Sequence, residues 1–317
     1  METKDMVSID MTVVLPIYNE EANINTLYDR LTIILKKMQL TYELLFVNDG
    51  STDQSLKIIK SLAMHDTQVK YLDFSRNFGH QIAVTAGLNT AKGKTVTIID
   101  ADLQDPPELI PNMYEKIMEG WNVVYARRRN RKGEGILKKI TAKLFYRLLT
   151  KVTSVPIPLD TGDFRIIDKK IIQVLKNMPE QSKFLRGQIS WIGFKQTFVE
   201  YDRDPRYGGK TGYTYRKMIR FALDGITAFS NIPLKIASLA GFIVSGISFL
   251  LILYSLYGRF ILKNYAPGWA SIMISVLFLG GIQLICLGII GEYISRMNIN
   301  IRNRPLYIVN ESNIEYS

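Results

Sequence analysis

Asp100 and Asp102 stand two residues apart, just past the apolar run Thr95-Val96-Thr97-Ile98-Ile99. Carboxylates at that spacing form a hard-oxygen claw suited to Mg²⁺ or Mn²⁺, which bind through one or two carboxylates plus substrate phosphates. The edge where a buried strand ends is also where open α/β sheets place their ligands. A solvated turn carries the same tripeptide, so the surroundings decide between the two. A second polar turn, Asn48-Asp49-Gly50-Ser51-Thr52-Asp53, closes the run Tyr42 to Val47. Asp49 there can accept a hydrogen bond from a base or a sugar, while Ser51 or Thr52 caps the following helix and Gly50 makes the turn. The cluster Arg127 to Arg131 offers cations for phosphate, although a solvated loop or an anionic-lipid patch has the same composition. Gly209-Lys210-Thr211 ends like a Walker loop, but the glycine required five residues before Gly209 is Asp204, which excludes an NTPase.

These groups need a scaffold, and the first half of the chain supplies one. Met11 to Ile17 is an apolar strand, and Asn19 to Gln39 follows with a helical stripe of Ile24, Leu27, Leu31, Ile34, Leu35 and Met38. Tyr42 to Val47 is a second strand, Ser55 to Met64 a helix, Val69 to Phe74 a third strand, Gln81 to Ala91 a helix and Thr95 to Ile99 a fourth strand. Strands alternating with helices predict a mostly parallel sheet covered on both faces, an α/β fold. There is no internal repeat and no low-complexity segment.

The 317 residues carry a net charge of +11, which calls for an anionic partner: nucleic acid, a phosphorylated substrate or anionic lipid. The lone cysteine, Cys286, excludes an internal disulfide and reads as a small buried hydrophobe. With only His65 and His80 beside it, no structural zinc site can be built. Met1 to Asp10 lacks the apolar core of a signal peptide.

Two uncharged runs follow the soluble half, Ile236 to Gly258 and Tyr265 to Gly291. Each exceeds the length of about 20 residues needed to span a bilayer, and neither has a polar face. The short connector makes them a hairpin. Arg216, Lys217, Arg220 and Lys235 flank it on one side and Arg296, Arg302 and Arg304 on the other, against Arg259 and Lys263 in the connector. The positive-inside rule then puts both termini in the cytoplasm. Tyr254, Tyr257, Tyr265, Trp269 and Tyr293 fall near the interfaces. Glu134 to Lys151 reads as a basic amphipathic helix, lying in the lipid interface or packed on its own domain, and Gly212 to Asn231 as a similar surface helix.

Three strings now stand in order: Val13-Val14-Leu15-Pro16-Ile17-Tyr18-Asn19-Glu20-Glu21, Val47-Asn48-Asp49-Gly50-Ser51-Thr52-Asp53 and Asp100-Ala101-Asp102-Leu103-Gln104-Asp105-Pro106-Pro107-Glu108. Together they resemble the signature of family-2 glycosyltransferases of the GT-A fold. The third string is similar to the polyprenyl-phosphate branch, which includes dolichyl-phosphate mannosyltransferases and bacterial undecaprenyl-phosphate glucosyltransferases. Thr161-Gly162-Asp163-Phe164-Arg165 and the membrane hairpin resemble the bacterial members, and the match covers essentially the whole chain.

The resemblance implies a role at each matching position. Pro16, Tyr18 and Glu20 line the nucleotide pocket, Asp49 binds uracil and Asp100 lies near the nucleoside. Asp102 and Gln104 hold Mg²⁺ or Mn²⁺ on the donor diphosphate. Asp163 sits near the acceptor phosphate, as a base or as a group that positions the acceptor or bonds to Arg165. Arg206 and Lys210 close over phosphates, and one of Arg127, Arg128 and Arg129 meets the acceptor phosphate. The domain plan that follows is a cytoplasmic GT-A catalytic domain over 1–211, a juxtamembrane segment over 212–232, a hairpin over 233–293 with spans at about 234–258 and 267–291, and a cytoplasmic tail over 294–317.

The reaction expected is inverting transfer of one hexose, glucose from UDP-glucose, to undecaprenyl phosphate at the plasma membrane. N-acetylglucosamine, galactose and mannose stand behind glucose. A processive polysaccharide synthase needs more spans and a Gln-x-x-Arg-Trp signature, where this chain has Gln188-Ile189-Ser190-Trp191. A non-catalytic scaffold would not need the intact Asp100, Asp102 and Gln104, and no nucleic-acid recognition motif is present. Two spans are too few to carry a lipid-linked sugar across the bilayer, so a flippase and a second glycosyltransferase are expected downstream. Gly241, Ser245, Gly280, Gly281, Gly288 and Gly291 permit the close helix contacts of a homo-oligomer.

Overall fold

The computed structural model describes residues 8–129, 161–202, 232–260 and 268–314. The chain forms two compact units, one holding residues 1–150, 155–215 and 304–317 and the other 151–154 and 216–303. Glu134 to Lys151, Arg206, Lys210 and Gly212 to Asn231 lie outside the described residues.

The first unit is built on an eight-stranded sheet with order β7-β5-β6-β4-β1-β2-β3-β8. Its strands are β1 (Met11–Ile17), β2 (Tyr42–Asn48), β3 (Val69–Phe74), β4 (Thr95–Ile98), β5 (Val123–Arg128), β6 (Thr161–Asp168), β7 (Gln196–Tyr201) and β8 (Val309–Ser312). Every residue of β1 and β2 is buried, as expected for central strands covered on both faces. β1 pairs in parallel with β2 and β4, β2 with β3, and β5 with β7. Only β6 and β8 run the other way. The mostly parallel α/β sheet expected from the alternation of elements is therefore present.

Helices α1 (Ile24–Lys37), α2 (Ser55–His65), α3 (His80–Thr90), α4 (Ile110–Met118), α5 (Lys169–Lys176) and α6 (Leu185–Ile192) cover the two faces. Ile24, Leu27, Leu31 and Leu35 of α1 pack on one side with Leu15, Leu44 and Phe46. Ala83, Val84 and Leu88 of α3 pack on the other with Val14, Leu45 and Leu72. Helix α1 begins at Ile24, the first residue of its apolar stripe and five residues after the expected start at Asn19, because residues 19–23 are spent on the site loops. Asn19 is left-handed (φ 55°), and its side-chain oxygen accepts from the Thr52 N–H at 2.8 Å.

Register places the chemistry. Val14 pairs with Ile98, and Pro16 with Val47, so the C-terminal ends of β1, β2 and β4 share one edge. β6 is antiparallel to β4 with Ile98 opposite Arg165, so continuing the ladder two residues sets Asp163 beside Asp100.

The second unit holds two long helices, α7 (Ile232–Phe260) and α8 (Trp269–Arg302). Their candidate spans are Ile232–Leu251, with mean hydropathy 1.9, and Phe278–Arg302, with mean hydropathy 1.6. Only 6% and 0% of these windows are buried within the protein. A soluble core helix would be covered, so these long, apolar and uncovered helices are candidate membrane spans. Cys286 is half-buried, its Sγ 3.6 Å from the Ala237 carbonyl. α8 continues past the expected end of the second span, through Glu292 and Arg296, which pair at 3.0 Å one turn apart. It stops at Asn303, left-handed at φ 44°, shortly before Pro305.

Candidate active site

The strand edge carrying Asp49, Asp100 and Asp102 opens into a cleft of about 380 Å³ lined by Pro16, Tyr18, Glu20, Asn77, Gly79 and His80, with those three acids. Six of the residues expected at the donor site, Pro16, Tyr18, Glu20, Asp49, Asp100 and Asp102, thus meet in one cavity.

Two loops are knitted together to form one wall. The Asn19 N–H donates to Ser51 Oγ and the Glu20 N–H to Ser55 Oγ, both at 3.0 Å. Asp53 Oδ1 accepts from the Ser55 N–H at 3.0 Å, and its Oδ2 from the Glu21 N–H at 3.2 Å. Ser51 and Thr52, expected to cap the following helix, are engaged by Asn19 in the loop after β1 instead, and α2 has Gln54 at its N-cap with no side-chain cap hydrogen bond. Gly50 makes the turn as expected: its φ is +66°, and a Cβ there would lie 2.5 Å from the Arg76 carbonyl carbon.

Asp49 is buried, with Oδ1 accepting from the Phe78 N–H at 2.7 Å and Oδ2 from the Gly79 N–H at 2.9 Å. Burial raises its carboxyl pKa, and these two amides only partly offset that. Asp49 thus both lines the cleft and ties the loop after β3 to the turn after β2.

Asp102 and Gln104 flank Leu103, which is left-handed at φ 57°, and the Gln104 N–H donates to Asp102 Oδ1 at 3.1 Å. Asp100 Oδ1 is buried without a hydrogen bond, and burial pushes this carboxyl up to about 6 although the charge of His80 pulls it down. The His80 imidazole stands 3.6 Å from this oxygen, which without a hydrogen bond is also open to a divalent cation. Among the described residues no cluster of three or more His, Cys, Asp or Glu could hold a metal. A hard ion here would be held by one or two carboxylates, with substrate phosphate completing its shell.

Asp163 has four side-chain partners. His80 Nε2 lies 3.1 Å and Gln81 Nε2 3.3 Å from its Oδ2, while Arg165 at 2.5 Å and Arg186 at 3.4 Å hold Oδ1. Burial alone would raise its pKa, but the His80 hydrogen bond and the two guanidiniums hold it well below the usual carboxylate range. A carboxylate so strongly held is a poor proton acceptor and a good anchor. His80 also lies 3.6 Å from Asp100, and although burial disfavours its charge, Asp100 and Asp163 raise its pKa to about 9.

Arg127 and Arg128 are not among the residues lining this cleft. On β5 they stand opposite Glu200 and Tyr201 of β7. Arg127 pairs with Glu200 and lies over the Phe198 ring at 3.4 Å. Arg128 Nε donates to the Tyr201 hydroxyl at 3.2 Å, and its guanidinium is 3.5 Å from Asp105, which accepts the Tyr201 O–H. In this structure both arginines serve carboxylates of their own domain.

His80, Gln81, Arg186, Asn77 and Gly79 belong to the site but carry no motif. The one signal available for His80, Asn77 and Gly79 is position, directly after β3 at the ligand-bearing edge. Arg186 comes from α6, and nothing in its neighbours points to Asp163.

Residues 12–175 match the family described as glycosyl transferase family 2. The chain is 50% identical over 304 residues to the uncharacterized glycosyltransferase YkcC of Bacillus subtilis (strain 168), covering 96% of this chain and 94% of that one. It is 39% identical over 302 residues to the SfII prophage-derived bactoprenol glucosyl transferase of Shigella flexneri, covering 95% and 98%. It is 40% identical over 299 residues to the prophage bactoprenol glucosyl transferase homolog of Escherichia coli (strain K12), covering 94% and 98%. With the family match, full-length relatives and a parallel-sheet cleft in agreement, the chain belongs to glycosyl transferase family 2.

Proposed function

We propose that this enzyme moves a single hexose, glucose from UDP-glucose, onto undecaprenyl phosphate at the cytoplasmic face of the plasma membrane, with inversion at the anomeric carbon. The observation that carries the reading is the acidic cleft at the strand edge, in a chain that also holds two candidate membrane spans. Relatives named bactoprenol glucosyl transferases support both the acceptor and the sugar.

Pro16, Tyr18, Glu20 and Asp49 surround the nucleoside, with Asp49 offering carboxylate oxygen to a uracil N–H. Asp102, with Asp100 and Gln104 beside it, would hold Mg²⁺ or Mn²⁺, which supplies positive charge to the leaving diphosphate. In the transfer an acceptor-phosphate oxygen forms a bond to the anomeric carbon as the bond to the donor diphosphate breaks, and UDP leaves. A phosphate monoester with a second pKa near 6 is already mostly dianionic at neutral pH, so no strong general base is required. Asp163 accordingly acts as an anchor: it holds Arg165, Arg186 and His80 as one block beside Asp100. Arg206 and Lys210 are assigned to phosphate closure by resemblance alone.

The test is transfer in detergent from radiolabelled UDP- and GDP-sugars to undecaprenyl phosphate with Mg²⁺ or Mn²⁺. One organic-extractable product is expected, from UDP-glucose. A product from another donor corrects the sugar, and no product from any donor, with no nucleotide binding, overturns the reading.

A further inference from the structure

The last strand of the chain reaches the loop that builds the donor cleft by two routes. After α8, Tyr307 stacks on Phe74 at 5.0 Å, and Phe74 meets Phe78 edge-on at 5.7 Å. The Ser75 N–H donates to the Ile308 carbonyl at 3.0 Å. The loop held in this way is the one whose Phe78 and Gly79 amides bind Asp49 and whose Asn77, Gly79 and His80 line the cleft. The second route passes through Asp73, a buried acid on β3. Asn310 Nδ2 donates to Asp73 Oδ2 at 2.9 Å and Asn48 Nδ2 to Asp73 Oδ1 at 2.7 Å, and Asn48 immediately precedes Asp49. The far end of β8 makes different contacts. Glu311 bonds Lys60 and the Tyr71 hydroxyl, and Asn313 bonds the backbone of Val69 and Tyr71, towards the start of β3.

We propose that Tyr307 and Asn310 are positioning residues for donor binding, acting through the Ser75–Gly79 loop and through Asn48 on Asp49. This rests on the reading that the cleft takes a nucleotide sugar. Because both residues follow the two apolar helices in the chain, the donor site is completed only after the hairpin has been synthesised.

The test uses the full-length protein in detergent with Mg²⁺. UDP affinity is measured by calorimetry, donor and acceptor KM and kcat by transfer, and Tm by unfolding, for Tyr307→Ala, Tyr307→Phe, Asn310→Ala and Glu311→Ala. Tyr307→Ala and Asn310→Ala are expected to raise the UDP Kd and the donor KM about 5- to 20-fold, the scale of one lost hydrogen bond or aromatic pair. Acceptor KM and kcat at saturating donor stay unchanged, and Tyr307→Phe, which keeps the stack, weakens UDP binding less than Tyr307→Ala does. Glu311→Ala lowers Tm without weakening UDP binding. Asn310→Ala leaves the aromatic stack intact and so carries the test if Tyr307→Ala does not fold. Unchanged UDP affinity in both alanine variants overturns the proposal, as does equal weakening by Glu311→Ala, which would make β8 a general staple. If the unaltered protein binds no nucleotide, the donor reading itself falls and this inference with it.

Discussion

Replacing Asp163 by Asn tests whether this acid is an anchor. The substitution preserves shape and removes the countercharge of Arg165, whose side chain is 1% exposed against 19% for Asp163. Breaking a buried pair by removing one partner costs about 3–5 kcal/mol, because the remaining charge is left uncompensated. Arg165 keeps the Asp163 carbonyl at 3.1 Å, the Gly162 carbonyl at 3.4 Å and the Tyr125 ring at 5.4 Å, which puts the expected loss at the lower end, about 3 kcal/mol. For a domain of this size that lowers Tm by about 6–12 °C, at roughly 2–4 °C per kcal/mol. The assay is thermal unfolding of the detergent-solubilised protein beside Arg165→Met and the double variant. With the charge already gone, the second substitution should cost far less than it does alone, so the cycle shows strong coupling. A Tm within about 2 °C of the unaltered protein, together with lost transfer, would refute the reasoning and return Asp163 to the chemistry.

His80→Gln should flatten the pH dependence of stability in the metal-free protein. A folded-state pKa of about 9 against 6.5 stabilises the protonated form, so that contribution is complete below 6.5 and lost as pH rises through about 9. Unfolding profiles across that window check it, and an equally steep loss in the variant contradicts it. Gly50→Ala forces a Cβ to within 2.5 Å of backbone at φ +66°, so it should cost at least about 2 kcal/mol and displace the Arg76–Gly79 loop. Denaturant midpoints and UDP affinity measure both effects.

The part of the fold that was legible is the part with strong period. β1 to β4 and their helices were visible because continuous apolar strands alternate with amphipathic helices. The donor wall was visible because Asp49, Asp100 and Asp102 sit in local motifs at strand ends. β5 and β6 were not assigned from sequence: Val123-Val124-Tyr125-Ala126 is short, and β6 gains its place by pairing antiparallel between β4 and β5. β8 was illegible for a similar reason. Val309-Asn310-Glu311-Ser312 is polar, and it is a strand because β3 offers an open edge and Tyr307 and Glu311 find partners there. Asp163 was found by resemblance, but its four partners come from the start of α3, from β6 and from α6, and only tertiary register unites them. Arg127 and Arg128 were assigned to the acceptor phosphate by resemblance, and what the sequence did not show is that strand pairing with β7 also gives them Glu200, Tyr201 and Asp105 as partners.

The most direct test of the central claim, that the Asp49–Asp100–Asp102 cleft carries out the transfer, is the rate of lipid-linked product formation by Asp102→Ala beside the unaltered protein, with matched Tm and saturating Mg²⁺ or Mn²⁺. Losing the carboxylate proposed to hold the metal on the leaving diphosphate should lower the rate by about 10³-fold or more. A folded Asp102→Ala protein that still forms metal-dependent product at a comparable rate would contradict the account.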